Sequence, residues 1–272
     1  MSWKSWAVAW CLLGCSRPEA GAPARAVVDA GASVAVPTAA PQSRKDAALP
    51  RGVECIVHHY EVDLDLPRRA LVTKAGDRVP FDDGRTKTAE QRLETPDVED
   101  MFAMRYPARG APIAAPKGPD DDPGRVRVEA FFRATYGATA REVEAHLVTV
   151  TVGGVRMRVH ERVKEPFQKV AARLEPLLKD PEVRKFFDDI GGTYNYRKIA
   201  GTDRMSAHAY GIAVDLAVKH SAYWRNGGSW SNRLPQTLVD AFEAEGFVWG
   251  GRWAHFDTMH FEYRPELFEE GC

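Results

Sequence analysis

The sequence predicts an α+β fold, a central antiparallel sheet packed by helices. Three observations carry that expectation. Apolar residues recur at helical spacing in capped segments such as "EPFQKVAARLEPLLKD". Two alternating runs flank Gly153-Gly154 in "HLVTVTVGGVRMRVHERV", which is a hairpin signal. Strand-like and helical segments are mixed along the second half, without an internal repeat. The chain has 272 residues, 44% of them hydrophobic, enough for one large domain or two small ones. Its formal net charge of −1 gives no global basic field, so nucleic acid is excluded as an expected partner.

The folded elements begin near Arg51. "CIVHHYEVDLDL" alternates and predicts strands. "TPDVEDMFAMRYP" predicts a short helix, with Thr95 as N-cap, Pro96 at the first helical position and Val98, Met101 and Phe102 on one face. Residues 108–124 are rich in Pro and Asp and read as loop. "RVEAFFRATYG" predicts a helix stopping at Gly137, and "TAREVEAHL" a second with a capping box of Thr139 and Glu142. After the hairpin and the long helix, "DPEVRKFFDDIGG" has Asp180 as N-cap and Pro181 behind it. "LPQTLVDAFEAEGF" is a further helix, closed by Gly246. Strands are expected over residues 193–199, 211–218 and 260–263.

The first fifteen residues, "MSWKSWAVAWCLLGC", place a lysine before an apolar run too short to span a bilayer. That is the layout of a secretory signal. "LLGC" resembles the bacterial lipobox. The resemblance implies cleavage before Cys15, lipidation of Cys15 and membrane anchoring through its acyl chains. Ser16 resembles the signal for the outer rather than the inner membrane. Residues 16–50 contain no aromatic residue and abound in Ala, Pro, Gly and Ser, so a disordered tether is expected. The resulting organisation is a lipoprotein signal over 1–14, a lipidated Cys15 with its tether over 15–50, an accessory region with helices and a hairpin over 51–160, and the core over 161–272. The expected location is the periplasmic side of a membrane, as a monomer. In that oxidising space Cys55 and Cys272 are candidates for a disulfide.

One segment raises a chemical question. "RMSAHAYGIAVDLAVKH" reads as buried strand on its right half, yet Asp215 sits among aliphatic residues with His208 seven positions upstream. An unpaired charge in an apolar setting costs several kcal/mol, so Asp215 needs a partner. A second polar cluster, "GFVWGGRWAHFDTMHFEYRPEL", holds His255, Asp257, His260 and Glu262. Such residue types together form metal sites. On a straight helix His208 and Asp215 would stand about 10 Å apart, too far for one ion. Gly211 instead fits a turn feeding a strand, so that His208 comes from the loop and Asp215 from the strand, with Val214 and Leu216 facing the core. His208, Asp215 and one C-terminal histidine then make a set of two imidazoles and one carboxylate, as a catalytic zinc requires. Asp257, three residues before His260, fits a base that moves the proton.

"SAHAYGIAVD" matches the S-x-H-x-x-G-x-A-x-D motif of the zinc D-alanyl-D-alanine carboxypeptidase family, which includes L-alanyl-D-glutamate endopeptidases and the VanY type. "DTMHFEYRPEL" matches its acid-x-x-H motif. The resemblance covers roughly residues 95–267. It implies one zinc ion per chain on His208, Asp215 and His260, Asp257 as general base and acid, and a Hedgehog-like α+β domain whose sheet carries the metal. It implies an upstream arginine on the substrate carbonyl. Arg197 in "TYNYRKIAGTDRMSAH" fits by its context and its distance from the motif, with Arg204 as the competitor. Ser206, Trp253 and Tyr196 are expected at the substrate, and the substrate is a peptidoglycan stem peptide. His255 is expected in the pocket wall or behind a ligand. Glu262 is expected either behind His260 or at the surface. A different class stays open beside the enzyme: a non-catalytic, zinc-containing, cell-wall-binding lipoprotein. Such a protein would be expected to lack the acid at 257, which this chain keeps.

Overall fold

A computed structural model describes residues 49–271, which lie within one compact unit. The expected signal, Cys15, nearly all of the tether and Cys272 lie outside the described residues. Cys55 is disulfide-bonded, and Cys11, Cys15 and Cys272 all lie outside that range.

The first element corrects an expectation. Residues 53–59 form a helix, α1 (Val53–His59), where alternation suggested a strand. Val53 and Ile56, three apart, both reach the core and override the β-branched local preference. Strands β1 (Val62–Asp65), β2 (Ala70–Thr73) and β3 (Arg78–Pro80) make an antiparallel sheet in that order, with Leu71 opposite Leu64 and Val79. Helix α2 (Ala89–Glu94) is capped by Thr88 in a complete capping box with Gln91. Thr95 therefore ends a helix rather than starting one: its N–H bonds the Gln91 carbonyl at 2.9 Å. A 3-10 turn, Glu99–Phe102, comes next, and Val98, Met101 and Phe102 are buried as expected.

Helix α3 (Glu129–Tyr136) stops at Gly137, and α4 (Ala140–Ala145) starts on Thr139, whose hydroxyl accepts from the Glu142 N–H. Gly137 has φ +121, and a Cβ there would meet the Val143 nitrogen at 2.9 Å, so the tight link needs glycine. Strands β4 (Leu147–Val152) and β5 (Val155–His160) form the expected hairpin. Helix α5 (Lys164–Leu177) buries Phe167, Val170 and Leu174 on one face. Helix α6 (Pro181–Phe187) is capped by Asp180.

Residues 193–199 are not a strand. They hold one isolated bridge, Lys198 to Met205, and a second, Gly192 to Asp215, lies just before them. The chain folds back on itself there, with Ile199 N bonding Arg204 O at 2.8 Å and Ser206 N bonding Arg197 O at 3.0 Å. Strand β6 (Ala213–Asp215) is shorter than expected, since Ala217 takes φ +52 and ends it. Helix α7 (Gln236–Glu243) stacks Phe242 on Phe261 at 4.5 Å. Strands β7 (Phe247–Trp249) and β8 (His260–Tyr263) complete a sheet ordered β6-β8-β7, in which Asp215 faces His260 across the ladder. Instead of one central sheet, the described residues hold three small antiparallel ones, and the third carries the site.

Candidate metal centre and active site

The local backbone brings the two motifs together. Ser206 caps a 3-10 turn, Ala207–Tyr210, by accepting from His208 N at 3.3 Å. Gly211 leaves that turn with φ +68, and a Cβ there would lie 2.8 Å from Leu147 and 3.0 Å from the His160 nitrogen. The chain then enters β6, and the β6–β8 register sets Asp215 beside His260. Val214 and Leu216 point into the core and are fully buried. They fix the strand that aims the aspartate.

Three atoms converge. His208 Nε2 lies 3.0 Å from Asp215 Oδ1, His260 Nδ1 lies 3.0 Å from the same oxygen, and the two nitrogens are 3.2 Å apart. The outer nitrogens decide what the inner ones present. His208 Nδ1–H donates to the Thr193 carbonyl at 2.6 Å, and His260 Nε2–H donates to Glu262 Oε2 at 3.0 Å. Each neutral ring then turns a lone pair inward. Two lone pairs and a carboxylate oxygen face one another, and such a triangle needs a cation. With metal–ligand bonds of about 2.0–2.1 Å, tetrahedral zinc sets its donors about 3.3 Å apart. The donor set fits zinc in type and in spacing.

The surroundings obey the same logic. Burial opposes charge on Asp215, yet hydrogen bonds from His208 and His260 hold its carboxyl well below the usual range. Burial also opposes charge on His260, but hydrogen bonds to Asp215 and Glu262 favour a positive charge there and raise its pKa to about 10. Glu262 is fully buried, and Arg127, His260 and Arg264 outweigh that burial and keep it ionised. Arg127 Nη1 reaches its two oxygens at 2.9 and 2.7 Å. Carboxylates behind ligand histidines fix ring orientation and raise ligand basicity.

Asp257 stands apart in kind. Its Oδ1 is buried and has no hydrogen-bond partner. Burial, with the neighbouring Asp215 carboxylate adding to it, pushes its carboxyl up to about 6. Its backbone is pinned: Asp257 N bonds Gly250 O at 3.0 Å, and a Cβ at Gly250 would lie 2.5 Å from the Asp257 carbonyl oxygen. A cavity of about 280 Å³ opens over these groups, and Arg197, Arg204, Ser206, Trp253 and His255 also line it.

Other expected site residues fall in different places. Trp253 is in the wall, 5.8 Å from the His260 ring, with Nε1–H on the Pro123 carbonyl at 2.8 Å. Tyr196 lies outside the lining and donates its hydroxyl to the Ala138 carbonyl at 2.9 Å. His255 is not among the three donors; its Nδ1 sits 2.6 Å from Asp122 Oδ2. Thr193, Arg127 and Asp122 are the contributors that sequence reasoning missed. The Arg127–Glu262 contact spans 135 positions of chain and leaves no local pattern.

A half-buried aspartate with one buried, unpartnered oxygen, beside two imidazoles and a carboxylate that could hold a metal, suits hydrolysis. Residues 200–263 match the family model described as D-alanyl-D-alanine carboxypeptidase, the family that the two motifs resemble. The match contains His208, Asp215, Asp257 and His260 and begins just after Arg197. It supports a peptidase. No curated protein matches the chain.

Proposed function

We propose that the protein is a zinc-dependent peptidase that hydrolyses peptide bonds in peptidoglycan stem peptides. The observation that carries this reading is the buried, unpartnered Asp257 oxygen next to the His208–Asp215–His260 triangle. A structural aspartate at that depth would be hydrogen-bonded. An unpartnered one, with its carboxyl near pH 6, is suited to take and return a proton. The same feature disfavours a purely metal-binding, non-catalytic protein.

His208, Asp215 and His260 would hold the zinc. When bound, zinc supplies Lewis-acid activation of water and of the amide carbonyl at neutral pH. The chain does the rest. Asp257 accepts the proton of the attacking water and passes it to the leaving amine nitrogen. Arg197 holds the carbonyl oxygen as its negative charge develops, a contribution of several kcal/mol when the donor is fixed. Trp253 walls the cavity on the His260 side. The reading includes export, a lipid anchor at Cys15, a Cys55–Cys272 disulfide and action as a monomer beside the cell wall.

The test is digestion of purified muropeptides with mass readout. Zinc-loaded wild type is expected to release a terminal alanine or to separate the stem from its sugar-linked alanine. Asp257→Ala should keep the metal and lose about 10²–10⁴ in rate. No product on any stem peptide from the zinc-loaded wild type would sink the reading.

A further inference from the structure

A further group of metal-ligating side chains shares no residue with the triangle. It consists of His58 and His59, in the last turn of α1, and Glu269, which follows the 3-10 turn Pro265–Phe268. His59 Nε2 lies 2.7 Å from Glu269 Oε1, and His58 Nδ1 lies 3.4 Å from the same oxygen. The contact joins residues 210 positions apart. Among the described residues Glu269 pairs with these two imidazoles and with no lysine or arginine, so no permanent cation closes its charge.

The two segments are held together from below. Tyr60, the residue after the histidines, is buried, and its hydroxyl donates to Glu266 Oε2 at 2.8 Å. Arg109 Nη1 donates to the Phe268 carbonyl at 3.2 Å, and its guanidinium lies over the Phe268 ring at 4.8 Å. Cys55, which is disulfide-bonded, stands three and four residues before the histidines, on the same side of α1. Its proposed partner, Cys272, comes three residues after Glu269, so disulfide and donor group would tie the same two segments. The His58 side chain is 70% exposed, against 22% for His59 and 33% for Glu269. His59 and Glu269 are therefore preset, and His58 is left to turn. Its ring stacks on the His59 ring at 4.8 Å with the planes 25° apart. A swing of the exposed ring out of that stack aims its lone pair at an ion held by the other two.

Calcium and magnesium take oxygen ligands, so two imidazoles select against them. Two imidazoles with one carboxylate oxygen suit a borderline divalent cation of the zinc and copper class. We propose that His58, His59 and Glu269 bind such an ion, with water in the remaining positions, and that the ion clamps the end of α1 to the C-terminal turn. A surface site that must order one of its ligands binds more weakly than a buried, preset one. Dialysis therefore empties this site and leaves the triangle filled. The proposal does not depend on the peptidase reading, because its readouts are metal uptake and melting.

The experiment titrates zinc chloride, by calorimetry, into zinc-loaded protein that has been dialysed to constant metal content. Wild type is compared with His58→Ala, Glu269→Gln and His208→Ala. Wild type is expected to take up one further zinc per chain, and saturating zinc should then raise its melting temperature by about 2–4 °C. His58→Ala, which alters an exposed side chain and should fold as wild type does, is expected to weaken that uptake at least about tenfold, the least that loss of even a supporting contact costs a metal site. Glu269→Gln should do the same, and both should lose the melting shift. His208→Ala should keep the uptake. No further uptake by wild type overturns the site, and so does undiminished uptake by either variant of the group. Loss of the uptake in His208→Ala assigns the ion to the triangle and overturns it as well. Uptake that depends on His58 and Glu269 but leaves melting unmoved overturns the clamp.

Discussion

The loop around Lys87 and the pocket around Asp215 both collect carboxylates away from water, and they close their charge differently. In the first, the chain provides the cation. Lys87 is almost fully buried, and its ammonium lies 2.9 Å from Asp97, 2.6 Å from Asp100 and 3.0 Å from Asp83. Hydrogen bonds to those three acids outweigh burial and raise the Lys87 pKa. In the second, two imidazoles and a carboxylate meet, and no side chain among the described residues fills the centre with a charge of its own. Beyond it, Asp257 Oδ1 and Arg204 Nε are buried without a hydrogen bond, and both residues line the same cavity. A cluster whose charge is closed internally holds structure together. One whose charge is left open is arranged for something that arrives.

Three experiments can break or sharpen that contrast. The largest effect should come from the open cluster. His208→Ala or His260→Ala should reduce bound zinc, measured by elemental analysis after dialysis, from one per chain to near none. Peptidase rate should fall at least about a thousandfold, about 4 kcal/mol of transition-state stabilisation. Retention of full metal by both variants would mean that the triangle is not the centre. Next comes the closed cluster. Lys87→Met leaves buried carboxylates without their cation and should destabilise the fold by about 3–5 kcal/mol in denaturant titration. Bound zinc in the folded fraction should stay unchanged. The smallest effect concerns a histidine that is neither. His160 is buried, and that burial together with His146 and Arg162 lowers its pKa to about 4. It stays neutral in the fold, while the unfolded chain takes a proton near pH 6.5. The unfolded state binds more protons between those values, so stability is complete above about pH 6.5 and is lost as pH falls toward 4. The loss is on the order of 3 kcal/mol. His160→Gln should flatten that acid limb in melts recorded from pH 7 to 4; an unchanged limb would remove His160 from the account.

Much of the site was legible because the groups that chelate a metal are few and their spacing is constrained. His208, Asp215 and His260 can meet only if a turn and two paired strands bring them together, and Gly211 with the aliphatic run marks that turn and strand. The parts that failed depend on distant contacts. Val53 and Ile56 are helical because of what they pack against, and the alternation around them could not reveal it. Residues 193–199 have strand-like composition but no neighbouring strand over most of their length, so they stay irregular, and the Thr193 carbonyl is free for His208. Arg127 behind Glu262 had no local sign at all. Thr88, by contrast, was within reach: Thr88 and Gln91 stand three apart, the spacing of a capping box, and place a helix start before the one read at Thr95.

The Thr193 and Arg127 contacts bear on how the molecule could be shortened. The segment that matches the family model starts at residue 200, yet the carbonyl that orients His208 and the guanidinium that balances Glu262 come from earlier in the chain. Trp253 and His255 are tied to Pro123 and Asp122 in the same way. A fragment trimmed to the matched segment would carry every expected ligand and lack much of the scaffolding that orients them. The matched signature and the smallest unit that holds the site in shape therefore differ in length, and any transplant of this site into another protein has to bring the earlier residues along.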